Sequence, residues 1–182
     1  MNASEVITIA GTLIGDSDAK EIDEKNEEVV KRYISALNIA VDTISTKYYS
    51  LIKRMDLVSD GEAKISYDAL DGRLFEVVSV TNKRGQEVEY FSLPFCLYLP
   101  EAYRSYEVKY KYLPEKVTSL DSDLPVLPFV SKETIGYLLA SDLCLSRGMF
   151  EESKFWFNAF ENSINRALSS RRARTVLNKK LI

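Results

Sequence analysis

The sequence contains no histidine. That single absence excludes Ser–His–Asp and Cys–His nucleophile pairs, histidine-containing zinc sites, and the side chain that most often serves as a general base near neutral pH. Cysteine is nearly as scarce: Cys96 and Cys144 are the only two. They cannot supply a four-thiolate metal site within one chain, and this usage is that of an intracellular protein with ordinary buried thiols, although spacing alone leaves a disulfide between them open. Seven glycines and five prolines are too few for a collagenous or low-complexity fibre. No stretch approaches the ~18 consecutive apolar residues of a membrane-spanning helix. The segment Met1 to Gly15 carries Glu5 and has no basic start, so a secretory leader is not expected there. The net charge of −3 gives the whole molecule no strong pull toward nucleic acid or anionic membranes.

What remains is an ordinary globular composition. Of 182 residues, 46% are hydrophobic and 28% charged, enough to build a core and too apolar for general disorder. Periodicity divides the chain into three zones. In the first, Val6, Ile7, Ala10, Leu13 and Ile14 recur at helical spacing, with Asn2 or Ser4 as a cap and Gly15 as a stop. Asp16 to Glu28 follows with seven acids and two lysines. A longer helix is then expected over Asn26 to Tyr49, with Val30, Tyr33, Ile34, Leu37, Val41, Ile44 and Tyr48 on its apolar face.

The second zone, Ser50 to Leu113, has strand chemistry. Glu62 to Tyr67 alternates, and Leu74 to Thr81 is rich in β-branched residues. Gln86 to Phe91 is expected to face Leu74–Thr81 as a hairpin across Asn82-Lys83-Arg84-Gly85. Phe95 to Leu99 and the alternating Tyr106 to Tyr112 complete an antiparallel sheet with one wet face. In the third zone Ser131 opens a helix ending near Arg147 and Gly148, and a last helix runs from Phe150 to Ser169 or beyond. The expected fold is α+β: mainly a helical bundle of about four helices with an inserted antiparallel β-sheet lobe. One domain is expected over residues 1–170, with helices in 3–49, the β region in 50–113 and helices in 131–170. Residues 171–182 form a basic C-terminal tail.

Four constellations bear on function. The acids Asp16, Asp18, Glu21, Asp23 and Glu24 lack the glycine and spacing of an EF-hand loop, and they suit a solvated helix start or a negative line facing a channel. Tyrosines on one strand face suit packing better than base stacking, for no basic motif accompanies them. A carboxylate pair of the glycosidase kind would survive the missing histidine, yet no pair is singled out. No catalysis, cofactor or metal is expected. The tail is more specific: Arg171, Arg172, Arg174, Lys179 and Lys180 interleave with Val176, Leu177, Leu181 and Ile182, and no acid intervenes. It is read either as a frayed basic terminus or as a segment that orders on docking an acidic partner; nucleic acid is a third possibility with a salt-sensitive footprint.

The sequence plan resembles the head–tail connector adaptors of tailed bacteriophages. The likeness lies in Ala36–Ala40 (Ala-Leu-Asn-Ile-Ala), in Val108–Val117 (Val-Lys-Tyr-Lys-Tyr-Leu-Pro-Glu-Lys-Val) with the Leu-Pro loop after it, and in Glu133–Ser153, where Tyr-Leu-Leu-Ala precedes Arg-Gly and Glu-Glu-Ser. It extends over about Glu28 to Leu168; the acidic Asp16–Glu28 stretch and a sheet region longer than the simplest adaptors carry depart from it and would also suit a neck or stopper component. The resemblance implies a structural virion protein without enzymatic activity, assembled in the host cytoplasm and located in the neck at the portal vertex. It implies a ring of neighbouring copies, commonly a dodecamer, that contacts the portal protein above and tail or stopper proteins below, away from any membrane. DNA would touch it only in passing through the channel. The tail Arg171–Ile182 would then dock on the portal, and acids such as Asp16, Asp18, Glu21, Asp23 and Glu24 would face the channel. The alternative is an intracellular partner-binding module whose basic tail engages an acidic protein or nucleic acid.

Overall fold

The computed structural model describes residues 1–17, 22, 27–58, 64–99, 105–124 and 130–179. Among them the chain forms four α-helices and two small antiparallel sheets, an α+β fold. Where the sequence suggests one domain over 1–170, the chain divides into two compact units. One joins Met1–Thr43 to Lys116–Ile182, and the other is Ile44–Glu115.

The first unit is helical. α1 (Ala3–Ile14) begins with a reciprocal capping box: the Asn2 side chain accepts the Glu5 N–H, and the Glu5 carboxylate accepts the Asn2 N–H. It ends at Gly15, whose φ of 69° is the left-handed conformation that a residue without a Cβ adopts cheaply. α2 (Glu27–Thr43) buries Tyr33, Ile34, Leu37, Ala40 and Val41, the stripe its spacing predicts. α3 (Lys132–Ser146) is capped by Ser131, which accepts the Thr134 N–H at 3.2 Å. α4 (Phe150–Lys179) runs for 30 residues, ten past Ser169, within the open-ended extent expected from the sequence. α3 is the centre of this unit and packs against α1, α2 and α4. Its burial therefore extends around the helix, through Ile135, Gly136, Leu138, Leu139, Ala140, Leu143 and Cys144. Hydroxyls join α3 to α4: Thr134 to Ser163 at 2.6 Å, and Ser141 to the Ser153 carbonyl at 2.9 Å.

The second unit starts with a π-helical turn, Ile44–Tyr48, where the helix expected to reach Tyr49 widens. The run Thr43-Ile44-Ser45-Thr46 stacks β-branched and hydroxyl side chains that disfavour regular α-helix. β1 (Leu51–Val58), β6 (Ser105–Leu113) and β3 (Arg73–Asn82) form one antiparallel sheet with β6 in the middle. β2 (Lys64–Ser66), β5 (Cys96–Tyr98) and β4 (Phe91–Ser92) form the other. Both contribute to one core, in which Leu57, Val80, Tyr106, Val108 and Tyr110 meet Ile65, Leu97 and Leu99. The expected hairpin is corrected in part. Its turn is present, with Gly85 at φ 75° and the Asn82 carboxamide oxygen accepting from the N–H of Arg84 and of Gln86. Beyond one bridge, Thr81 to Glu87, and the Val88 N–H bond to Val80, the returning chain leaves β3, and Phe91–Ser92 pairs with β5 instead.

Candidate functional site

Asp16 is the acid whose role the structure defines most clearly, and it is not a channel-facing charge. The left-handed turn at Gly15 carries the chain back so that the Asp16 N–H bonds the Gly11 carbonyl at 2.8 Å. Its side chain is directed inward and is only 7% exposed. The carboxylate accepts from the Tyr33 hydroxyl of α2 and from Arg147 Nη2 at the end of α3. Arg147 Nη2 also lies 3.3 Å from the Tyr33 hydroxyl, and the Arg32 guanidinium sits 5.1 Å from the Tyr33 ring centroid. One acid thus ties α1 to α2 and α3. Burial, reinforced by the Asp16 hydrogen bond, pushes the Tyr33 hydroxyl above its ordinary pKa, and the same carboxylate raises that of Arg147. The expectation for Asp16 is corrected accordingly: a carboxylate ringed by its own partners contributes cohesion, not surface potential. Asp18, Glu21, Asp23 and Glu24 lie outside the described residues.

Of the basic tail, the backbone from Arg171 to Lys179, which includes Arg172, Arg174, Val176 and Leu177, is the continuation of α4. Lys180, Leu181 and Ile182 lie outside the described residues. The helical unit also exposes large apolar side chains: Ile39 on α2, Leu145 on α3, and Phe150 and Phe155 on α4, each more than half accessible. Phe155 stands edge-on to Trp156, which stacks on Tyr137 at 5.9 Å between centroids. Along α2 an open groove of about 450 Å³ is lined by Val30, Ile34, Asn38 and Ile39 with Lys116 and Thr118. Asn38 holds that groove's far wall through two bonds to Val117, its amide to the carbonyl and its oxygen from the N–H, each 2.9 Å.

Among the described residues no arrangement for catalysis stands out. The Asp16 carboxylate is enclosed by its donors. Cys144 is fully buried, and burial pushes its thiol above the ordinary value, with Glu152 adding to the rise. Among the described residues no group of three or more Cys, Asp or Glu side chains is placed to hold a metal ion, and no helix is long and apolar enough to cross a membrane. Sequence spacing does not reveal the Asp16–Arg147 pair, because 131 positions separate its members. The one local hint is an arginine at a helix end immediately before glycine. No known protein family model matches the chain, and no curated protein is significantly similar to it.

Proposed function

We propose that the protein is a structural component of the neck of a tailed bacteriophage, an adaptor that forms a ring beneath the portal, joins head to tail and leaves a passage for DNA. It acts by binding, not catalysis, and needs no cofactor. The observation that carries the proposal is α4: this helix, which takes up the end of the Glu133–Ser153 likeness at Phe150 and packs on α3, which bears the rest, continues unbroken into the basic segment and stays helical to Lys179. A docking element continuous with a packed core transmits its position to the rest of the unit, as a connector requires. The exposed Ile39, Leu145, Phe150 and Phe155 supply the helical unit with apolar surface for neighbouring copies.

The direct test is co-sedimentation with purified portal rings from the same phage, followed by electron microscopy of the complex. A stoichiometric ring of this protein capping the portal is expected. Removing residues 171–182 should abolish that binding while leaving the circular dichroism of the remainder helical. Binding that survives the truncation overturns the docking role of the tail. Absence of binding by the full chain, with salt-sensitive retention on nucleic acid, would favour the binding-module alternative.

A further inference from the structure

We infer that two copies of this chain pair through the outer edge of β1, strand to antiparallel strand about a two-fold axis, joining their three-stranded sheets into one of six strands. The inference goes beyond the connector proposal and does not depend on it. β1 is an edge strand: within the described residues it pairs with β6 on one side and with no strand on the other. An open edge of eight residues is a ready template for another strand.

The side chains specify which strand. On the outward face of β1 stand Ile52, Arg54, Asp56 and Val58, with Ile52 and Val58 exposed by 52% and 75%. When β1 is laid antiparallel on itself with Met55 opposite Met55, Ile52 of each copy meets Val58 of the other and Arg54 meets Asp56. Apolar pairs flank two opposite-charge pairs. Sliding by two residues in one direction sets Arg54 against Arg54, and in the other Asp56 against Asp56. Sliding by one puts the inward row against the outward row. A single register satisfies the edge.

The neighbouring strand strengthens the charge argument. In the sheet's own register Arg54 lies opposite Lys109, and Asp56 opposite Glu107. Each is a like-charge pair, which costs energy on a sheet face and is relieved, among the described residues, by the diagonal Arg54–Glu107 contact at 3.5 Å. Across the two-fold the Lys109–Arg54 row of one copy meets the Asp56–Glu107 row of the other, so two positive charges face two negative ones. Such a contact is isologous and closes at two copies. It is therefore not the head-to-tail contact of a ring but a state of the free protein, in which the open edge is covered.

Sedimentation velocity over a concentration series, with single and double charge reversals, tests the inference. The wild-type chain should form a dimer at about 50–100 µM, and either Asp56→Arg or Arg54→Asp alone should raise the dissociation constant by about tenfold or more. The double reversal Arg54→Asp with Asp56→Arg restores the complementary order and should bring the constant back to the wild-type range. Each reversal replaces a like-charge pair within its own sheet by an opposite-charge one, Arg54→Asp at the cost of the exposed diagonal Arg54–Glu107 contact, and circular dichroism checks that the monomer fold is kept. A wild-type chain that stays monomeric throughout, or an oligomer indifferent to both single reversals, overturns the inference.

Discussion

Tyr33 shows how much one hydroxyl can hold. It is fully buried and donates to the Asp16 carboxylate at the meeting point of α1, α2 and α3. Tyr33→Phe keeps the ring's packing and removes the donor, leaving Arg147 as the partner described from α3. A lost hydrogen bond to a charged group costs about 1.5–3 kcal/mol, roughly 3–12 °C of melting temperature in a protein this size. The same variant changes the alkaline limb. With its folded pKa raised, Tyr33 keeps its proton in the native state after the unfolded chain has lost it, so its contribution is complete below about pH 10. That contribution drains away as pH climbs from there toward the folded value. Thermal melts from pH 9 to 11 should therefore fall less steeply for Tyr33→Phe than for wild type. Part of the slope will persist, because burial also raises Tyr110.

Among the elements, the approach of α1 to α3 depends on Gly136. A Cβ built there meets Ile9 Cγ2 at 2.7 Å, closer than two carbons can sit. Replacing glycine by alanine inside a helix ordinarily gains about 0.5–1 kcal/mol, but Gly136→Ala should lower the melting temperature because Ile9, stiff at its branched Cβ, cannot easily withdraw. Adding Ile9→Ala should recover part of the loss, which calorimetry of the two variants can read. The helices themselves were legible in the sequence, since α1 and α3 begin at recognisable caps and α1 and α2 carry periodic stripes. The alternating β6 was equally plain, with Tyr106, Val108 and Tyr110 buried as one row. β1 was missed as a strand for a physical reason: Lys53 interrupts its inward row while Ile52 and Val58 occupy the outward one, so burial and polarity do not alternate. Periodicity leaves the end of α4 open beyond Ser169, because the basic segment that follows carries no regular helical stripe. Of the candidate site, the basic segment was visible from composition, whereas the Asp16 tie exists only once the chain is folded.

At the scale of the molecule, the β unit is a single insertion in the helical one: the chain leaves after Thr43 and returns at Lys116, and Asn38 grips Val117 near that return. The two cysteines fall one on each side of this division. Cys96 lies half-buried on β5 of the inserted unit, while Cys144 is sealed inside α3 with its thiol pushed toward the protonated form. A thiol reagent applied to the native protein should therefore consume one equivalent, and two after denaturation. A maleimide dye would settle on β5 without any mutation and convert the inserted unit into a built-in reporter. The sole tryptophan, Trp156 on α4, supplies an independent signal from the helical unit. The natural sequence thus comes with a separate optical handle on each half, and whether the halves melt as one or apart can be followed in a single cuvette.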